Sequence, residues 1–321
     1  MKILQSVKKI PGGLMVVPLL LGAVVNTFFG QVWTWYDGTF TTYLWKSGAM
    51  PILAVFLFCN GATIDFKRAG VPLAKGVIIT LVKVLIGIAV GLLVSNIWGP
   101  AGIMGLTPLA IVAAIANSNG GLYASLAGEY GDATDVGAVS ILSINDGPFF
   151  TMVALGASGI ANIPINTLIG CVIPIVVGCI LGNLDEDIRK FCIPGATMMI
   201  PFFAFPLGAG LNLKNLIVGG APGILLGVVC TLITGLAGYA VYKLLRPVKA
   251  LGIEHPEVGA AIGTTAGNAA ATPAAVAAAD TGLLAIAESA TAQVTCAVIV
   301  TAILCPLLVT WLHNMEVKKA K

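Results

Sequence analysis

Residues 114–121 read AIANSNGG and residues 261–268 read AIGTTAGN, and each stretch interrupts a segment that is otherwise apolar enough to cross a lipid bilayer. The two stretches are 261 − 114 = 147 residues apart, and the same offset relates residues 58–67 (FCNGATIDFK) to residues 205–214 (FPLGAGLNLK). A duplicated membrane chain with an interrupted helix in each half is typical of secondary transporters, which bind their substrate where the interruptions meet. Unwound backbone is tolerated at membrane depth only where it is buried in protein or lines a polar cavity.

The composition excludes a water-soluble protein. The chain has 321 residues, of which 58% are hydrophobic and 10% charged, whereas soluble proteins average roughly 25% charged residues. The lipid bilayer is therefore the expected partner, and the small net charge of +3 gives no reason to expect a nucleic acid. The seven cysteines lack CxxC or His-rich spacing, so we expect small apolar packing residues and neither disulfides nor metal ligands. No cleavable signal peptide is expected.

Ten apolar segments are long enough to span a bilayer, which takes about 20 residues each. They cover residues 11–29, 44–64, 71–97, 103–126, 136–157, 164–184, 194–212, 216–244, 257–279 and 282–312. With the N-terminus in the cytoplasm, only Lys46 and Lys214 fall outside and Lys83 lies within a span. Fourteen cations then fall inside, which is the asymmetry expected of cytoplasmic loops: Lys2, Lys8, Lys9, Lys67, Arg68, Lys75, Arg189, Lys190, Lys243, Arg246, Lys249, Lys318, Lys319 and Lys321.

An odd number of spans in each half means that the second half enters the membrane from the opposite side. A weaker echo supports this pairing, because residues 18–22 (PLLLG) resemble residues 174–178 (PIVVG) at an offset of 156. The sequence thus predicts an all-α membrane protein of ten helices. These form two inverted five-helix repeats, residues 1–160 and 161–321, with two crossing discontinuous helices.

Three charged residues lie within predicted spans, and such residues usually mark functional sites. Asp146 is ten residues into its span, so it lies roughly 15 Å deep, near the midplane. It is predicted to bind a proton or another coupling cation; the alternative is a protonated acid that only packs. Lys83 either snorkels toward the cytoplasmic headgroups, pairs with Asp146 or meets an anionic substrate. Glu288 is a further coupling candidate, although outer water can reach it.

The two breaks supply the predicted substrate site. A break leaves half-helix N-termini with free N–H groups and a positive dipole end, which suit a carboxylate. Its amides and hydroxyls can bond substrate hydroxyls or, with the freed carbonyls, hold a cation. Close helix packing explains small residues in a span but explains the buried amides poorly. The predicted substrate-binding residues are Asn117, Ser118, Asn119, Gly120, Thr264, Thr265, Gly267 and Asn268.

The fifth and tenth spans correspond under the same offset, with Asp146 opposite Gln293. Polar residues on these spans are expected to complete the walls around the crossing. They add Ser143, Asn145 and Gln293 to the coupling-cation candidates, which also include Lys83. No cofactor is expected and no metal site is certain, although Na⁺ at the crossing stays open. The two histidines have no triad or metal spacing and there is no phosphate-binding loop, so an enzyme is not expected.

Several longer motifs resemble those of the 2-keto-3-deoxygluconate permeases. The matching stretches run over essentially the whole chain: residues 9–19 (KIPGGLMVVPL), 119–125 (NGGLYAS), 182–185 (GNLD), 200–205 (IPFFAF) and 271–273 (ATP). The resemblance implies symport of this sugar acid with a proton. The organisation also looks like that of the bile-acid/sodium symporters, which implies a core domain (spans 3–5 and 8–10) and a panel domain (spans 1, 2, 6 and 7).

We therefore expect a multi-pass plasma-membrane symporter that takes up a small sugar-acid anion with H⁺ by alternating access. The alternative within transport is a sodium-coupled organic-anion symporter, and the least favoured alternative is an uncoupled channel or a receptor. The oligomeric state is not indicated by the sequence.

Overall fold

The computed structural model describes residues 2–9, 13–65, 70–99, 102–142, 145, 148–210 and 213–320. In these ranges the chain is helical, and the one β-feature is an isolated bridge between Ile103 and Leu106. The all-helical prediction is confirmed for this part of the chain.

The first half contains eleven of the described α-helices. They are α1 (Ile3–Lys8), α2 (Gly13–Phe29), α3 (Val32–Trp35), α4 (Phe40–Trp45), α5 (Ala49–Thr63), α6 (Val71–Trp98), α7 (Pro108–Ile115), α8 (Gly120–Tyr130), α9 (Ala133–Gly137), α10 (Val139–Leu142) and α11 (Phe149–Ala157).

The second half contains six described α-helices and four 3₁₀ helices. The α-helices are α12 (Ile165–Leu184), α13 (Glu186–Cys192), α14 (Gly195–Gly208), α15 (Leu213–Leu245), α16 (Thr272–Ala279) and α17 (Leu284–Ala320). The 3₁₀ helices cover Lys249–Leu251, Pro256–Ile262, Gly267–Ala271 and Thr281–Leu283.

Six helical segments of the described chain are long and apolar enough to cross a membrane, which makes this a membrane protein. They are Val71–Trp98, Pro108–Tyr130, Ile165–Leu184, Glu186–Gly208, Gly220–Leu245 and Thr281–Lys319. The sequence predicts ten spans. Four predicted spans are short or divided. Helix α2 has 17 residues and α5 has 15, the predicted span 136–157 is divided among α9, α10 and α11, and the predicted span 257–279 is divided among two 3₁₀ helices and α16.

Four helices pack together through very close backbone contacts: α5 lies against α12 and α14, and α14 lies against α2. A Cβ added at Gly61 would lie 2.1 Å from the carbonyl oxygen of Ile175, and one at Gly208 would lie 1.9 Å from that of Leu19. Only glycine permits these approaches. The two contacts are equivalent under the sequence offsets, since 208 − 61 = 147 and 175 − 19 = 156. The contacts of Gly178 with Phe58 and of Gly22 with Phe205 are equivalent in the same way.

A second group of helices surrounds the two interrupted segments. Here α15 packs along α17 and along the 3₁₀ helix Pro256–Ile262, while α7 packs against α6 and α17. The interior of this group contains many alanines, among them the fully buried Ala110, Ala113 and Ala114 of α7. Small side chains let the helices approach closely, so the two interrupted segments come into direct contact.

Candidate functional site at two helix breaks

The first predicted break is confirmed. Helix α7 ends at Ile115, the following residues leave the helical path, and α8 begins at Gly120. Asn119 has an extended backbone (φ −83°, ψ 98°) and its Oδ1 accepts a hydrogen bond from the N–H of Leu122 at 3.0 Å. It is therefore the N-cap of α8, the position at which asparagine is most favourable.

The second predicted break is also confirmed, but its first arm is not an α-helix. The chain forms the 3₁₀ helix Pro256–Ile262, leaves helical geometry, and resumes as the 3₁₀ helix Gly267–Ala271 before α16 begins. The tighter coil lies directly on α15, where a Cβ added at Gly259 would be 2.3 Å from the carbonyl oxygen of Gly238. This contact leaves no room for a side chain between the two segments.

The two breaks satisfy each other through a reciprocal pair of hydrogen bonds. The N–H of Asn119 donates to Thr264 Oγ1 at 3.0 Å, and the N–H of Ala266 donates to Asn117 Oδ1 at 3.3 Å. The bonds are equivalent under the repeat offset, since 264 − 117 and 266 − 119 both equal 147. Each side chain thus replaces a backbone acceptor that the opposite helix lost when it unwound.

Thr265 adds a third link across the crossing. Its hydroxyl donates to the carbonyl oxygen of Ala114 at 3.0 Å, and its N–H donates to Thr301 Oγ1 at 3.0 Å. Its polar groups are therefore used in holding the two breaks together and against α17. Thr265 is a structural member of the crossing in this conformation.

Lys83 reaches the crossing from α6 with a side chain that is completely buried. Its Nζ donates to the carbonyl oxygen of Thr264 at 2.8 Å and to Thr234 Oγ1 at 3.2 Å, and it lies 3.7 Å from Cys230 Sγ. The snorkelling alternative is wrong, because the ammonium lies against unwound backbone in the protein interior and not at the headgroups. Asp146, the expected ion-pair partner, lies outside the described residues.

A cavity of about 690 Å³ opens beside the crossing. Four of the eight predicted substrate residues line it: Asn119, Gly120, Gly267 and Asn268. The other four, Asn117, Ser118, Thr264 and Thr265, are buried beneath its wall. The volume is within the range of small-molecule sites. The structure thus divides the predicted set into residues that face the cavity and residues that support it.

The cavity lining also contains polar residues that the sequence did not indicate. Asn60 of α5 and Thr197 of α14 line the cavity, as does Ser125 of α8. The Nδ2 of Asn60 donates to the carbonyl oxygen of Phe56 at 2.9 Å, and its Oδ1 has no hydrogen-bond partner among the described residues. A buried amide in an otherwise apolar helix was the available signal. Lys8 and Lys9 lie at the same cavity and make it positive.

Several fully buried polar atoms have no hydrogen-bond partner in the described part of the chain. They are Asn117 Nδ2, Ser118 Oγ and both side-chain atoms of Asn145. Buried polar atoms are nearly always satisfied, so these donors and acceptors are available to a substrate, an ion or water. Ser143 and Asp146 fall outside the described residues.

Gln293 is a predicted coupling-cation residue, but its amide is bonded to the segment before α7. Its Oε1 accepts from the N–H and the hydroxyl of Thr107 at 3.0 and 3.2 Å, and its Nε2 donates to the carbonyl oxygen of Gly105 at 2.8 Å and to Ser289 Oγ at 3.2 Å. Gln293 therefore fixes the start of α7. Glu288 lies five residues before it and is half-buried in α17.

The described residues contain no group of three or more His, Cys, Asp or Glu that could hold a metal ion. Their six described cysteines are free: Cys59, Cys179, Cys192, Cys230, Cys296 and Cys305. The two histidines lie beside one carboxylate, that of Glu257, with His313 Nδ1 at 2.8 Å from Oε1 and His255 Nδ1 at 3.6 Å.

Comparison with known proteins places the chain among transporters. The family model described as 2-keto-3-deoxygluconate permease matches residues 4–318. The chain is 50% identical over 320 residues to 2-keto-3-deoxygluconate permease 1 of Salmonella typhimurium, covering 100% of this chain and 98% of that protein. It is 40% identical over 326 residues to the 2-keto-3-deoxygluconate permease of Bacillus subtilis, covering 100% and 96%. The relatives are named as permeases and not as enzymes, and this multi-pass membrane protein belongs to the 2-keto-3-deoxygluconate permease family.

Proposed function

We propose that the protein imports 2-keto-3-deoxygluconate, or a similar small sugar-acid anion, together with H⁺ by alternating access. The observation that carries the proposal is the polar cavity at two mutually bonded helix breaks in a chain of this family. Irregular backbone that lines a cavity between two half-chains is the arrangement expected of a transport site.

The substrate carboxylate binds at the N-terminus of α8. Gly120 and Gly121 are the first two residues of that helix and both line the cavity. Their N–H groups have no acceptor within the helix, and they lie at the positive end of the helix dipole. The sugar hydroxyls bond to the amides of Asn60, Asn119 and Asn268. A site with donors at one end and amides around it orients an elongated hydroxy acid.

Asp146 remains the proposed group that takes up and releases the coupling proton. Ser143, Asn145 and Glu288 stay secondary candidates, since Asn145 has a buried amide without a partner among the described residues and Glu288 is half-buried. Gln293 is less suitable because both ends of its amide are bonded to the segment before α7. Co-transport of a monoanion with one proton is electroneutral.

The architecture proposed for this mechanism is the ten-span inverted repeat, with repeat boundaries at residues 1–160 and 161–321. The equivalent glycine contacts and the reciprocal bonds at the crossing support it. The panel consists of α2, α5, α12 and α14, and the remaining spans form the core. Lys8 and Lys9 at the cavity fit an inward-facing state in the inner membrane, with both termini cytoplasmic.

Sodium coupling is a second candidate because Ser118 Oγ and Asn145 Oδ1 are buried oxygen atoms without a partner in the described ranges. One experiment separates the two candidates from each other and from a channel. Uptake of labelled 2-keto-3-deoxygluconate into proteoliposomes is measured under an imposed pH gradient, an imposed Na⁺ gradient, or neither. The proposal predicts accumulation above the external concentration with the pH gradient alone. Accumulation only with Na⁺ would support the second candidate, and uptake that stops at equilibrium under both gradients would support a channel.

A further inference from the structure

We infer that Lys83 sets the selectivity of the site for anions, as a fixed positive charge behind the crossing that does not touch the substrate. The inference rests on the proposed function, because it concerns the charge of the same substrate. It assigns to Lys83 a positioning role that neither a packing residue nor an ion-pair partner of Asp146 would have.

All three N–H donors of the Lys83 ammonium are used. An ammonium group has three donors and no acceptor. In Lys83 these meet the carbonyl oxygen of Thr264, Thr234 Oγ1 and Cys230 Sγ. All three acceptors are neutral, and one is the unwound carbonyl of the second break. The positive ammonium competes with a metal cation for that carbonyl.

A second lysine, Lys75, lies eight residues earlier on α6 and is equally buried. Lys75 Nζ lies 2.7 Å from Asp135 Oδ1 and 3.8 Å from Asp132 Oδ1, so carboxylates neutralise it. For Lys83, no carboxylate of the described residues lies within ion-pair distance, and the titratable groups that face it there are the thiols of Cys230 and Cys305. Its charge is therefore not cancelled locally by the described residues.

Thr264 links the Lys83 ammonium to the cavity. Thr264 accepts from Lys83 through its carbonyl oxygen and from the N–H of Asn119 through its hydroxyl. Asn119 and Gly120 line the cavity. Two unit charges about 10 Å apart, at an effective dielectric constant of about 20, interact strongly enough to change an affinity by roughly tenfold. The ammonium thus stabilises a bound carboxylate without contact.

The test compares two ligands of nearly the same shape, one anionic and one neutral. Calorimetric binding to the purified protein is measured for 2-keto-3-deoxygluconate and for its neutral carboxamide. Wild type should prefer the acid, and Lys83→Met should weaken the acid about tenfold while leaving the amide unchanged. Lys83→Arg should retain the preference. Lys75→Met is the matched control: it removes a buried lysine from the same helix and should leave the ratio of the two affinities unaltered.

Three results would overturn the inference: Lys83→Met keeps the preference for the acid, weakens both ligands equally, or changes the ratio no more than Lys75→Met does. A counter-charge on Asp146 would give the first of these. If Lys83→Met does not fold, Lys83→Gln gives the same comparison with a polar side chain. If wild type binds neither ligand, the proposed substrate is wrong and the inference falls with it; retention of the preference in a folded Lys83 variant defeats the inference alone.

Discussion

The two breaks occupy equivalent positions in the two halves of the chain but carry different chemistry. The first carries two amides and one hydroxyl (Asn117, Ser118 and Asn119), whereas the second carries two hydroxyls and one amide (Thr264, Thr265 and Asn268). Lys83 of the first half meets Cys230 of the second at the repeat offset, since 230 − 83 = 147. The hydrogen bonds between the breaks, each from a backbone N–H to a side-chain oxygen, are nevertheless reciprocal. A sugar acid has a charged end and a hydroxylated end, so a symmetric site could not match it. The duplicated backbone supplies the scaffold, and the unequal side chains supply the polarity.

The largest effect is expected at Asp146, an acid whose repeat equivalent, Gln293, is a neutral amide. Asp146→Asn should reduce uptake driven by a pH gradient to the equilibrium level while preserving substrate exchange, because the neutral amide cannot release a proton. Gln293→Ala should keep driven accumulation and lower the melting temperature, since its hydrogen bonds to Thr107 and Gly105 before α7 are lost. The measurement is labelled uptake and counterflow in proteoliposomes.

If Asp146→Asn still concentrates substrate in response to a proton gradient, the coupling group lies elsewhere. Glu288 would be the next residue to replace, or the crossing itself if Na⁺ proves to be the driving ion.

Equivalent glycines in the two halves should lose similar amounts of stability when a side chain is added. Gly61→Ala and Gly208→Ala each place a Cβ about 2 Å from a carbonyl oxygen, and overpacking of this kind costs about 1–3 kcal/mol or more. Both variants should melt several degrees lower, to a similar extent. Gly170→Ala in α12 is the control, because a Cβ there meets nothing within 4 Å. Unequal losses at Gly61 and Gly208 would break the proposed equivalence of the two contacts.

The asymmetric part predicts different outcomes at Asn60 and its equivalent, Leu207. Asn60→Leu should weaken substrate binding about tenfold, the value of one hydrogen bond of roughly 1.4 kcal/mol. Leu207→Asn should leave the affinity unchanged but lower the stability by about 1–3 kcal/mol, because it buries an unpaired amide. Calorimetric binding and thermal melting distinguish the two effects. Normal affinity in Asn60→Leu would remove α5 from the substrate site.

The smallest effects are expected at the reciprocal bonds. Asn117→Ala and Thr264→Val each remove one side-chain acceptor for a backbone N–H of the opposite break. Each should destabilise the protein by about 1 kcal/mol, and the two losses should agree to within a few tenths of a kcal/mol in chemical denaturation. A loss in only one variant would mean that one bond is dispensable and that the crossing is held from one side.

Runs of Asn, Gly and Thr are costly inside an apolar segment that crosses a bilayer. Unwound backbone is tolerated at that depth only where it lies against protein or lines a cavity. The sequence therefore predicts the positions of both breaks. It also predicts four residues of the cavity. It does not reveal that Asn117 and Thr264 serve the opposite break, because that exchange depends on how two distant segments cross. The 3₁₀ arm Pro256–Ile262 is missed because its proline at the first position and its two alanines also suit an α-helix. Asn60 is missed because a single amide in α5 gains meaning only once the fold brings it to the same cavity as Asn119.

The central claim is that the substrate binds where the two breaks meet, and alkylation of a single introduced cysteine tests it most directly. Gly121 lines the cavity, and a side chain there has only an ordinary contact at 3.5 Å. The account predicts that 2-keto-3-deoxygluconate slows alkylation of Gly121→Cys in a saturable manner. Gly128→Cys, exposed two turns further along α8 and outside the cavity lining, should react at a rate that the substrate does not change. Equal rates at Gly121→Cys with and without saturating substrate would contradict the account.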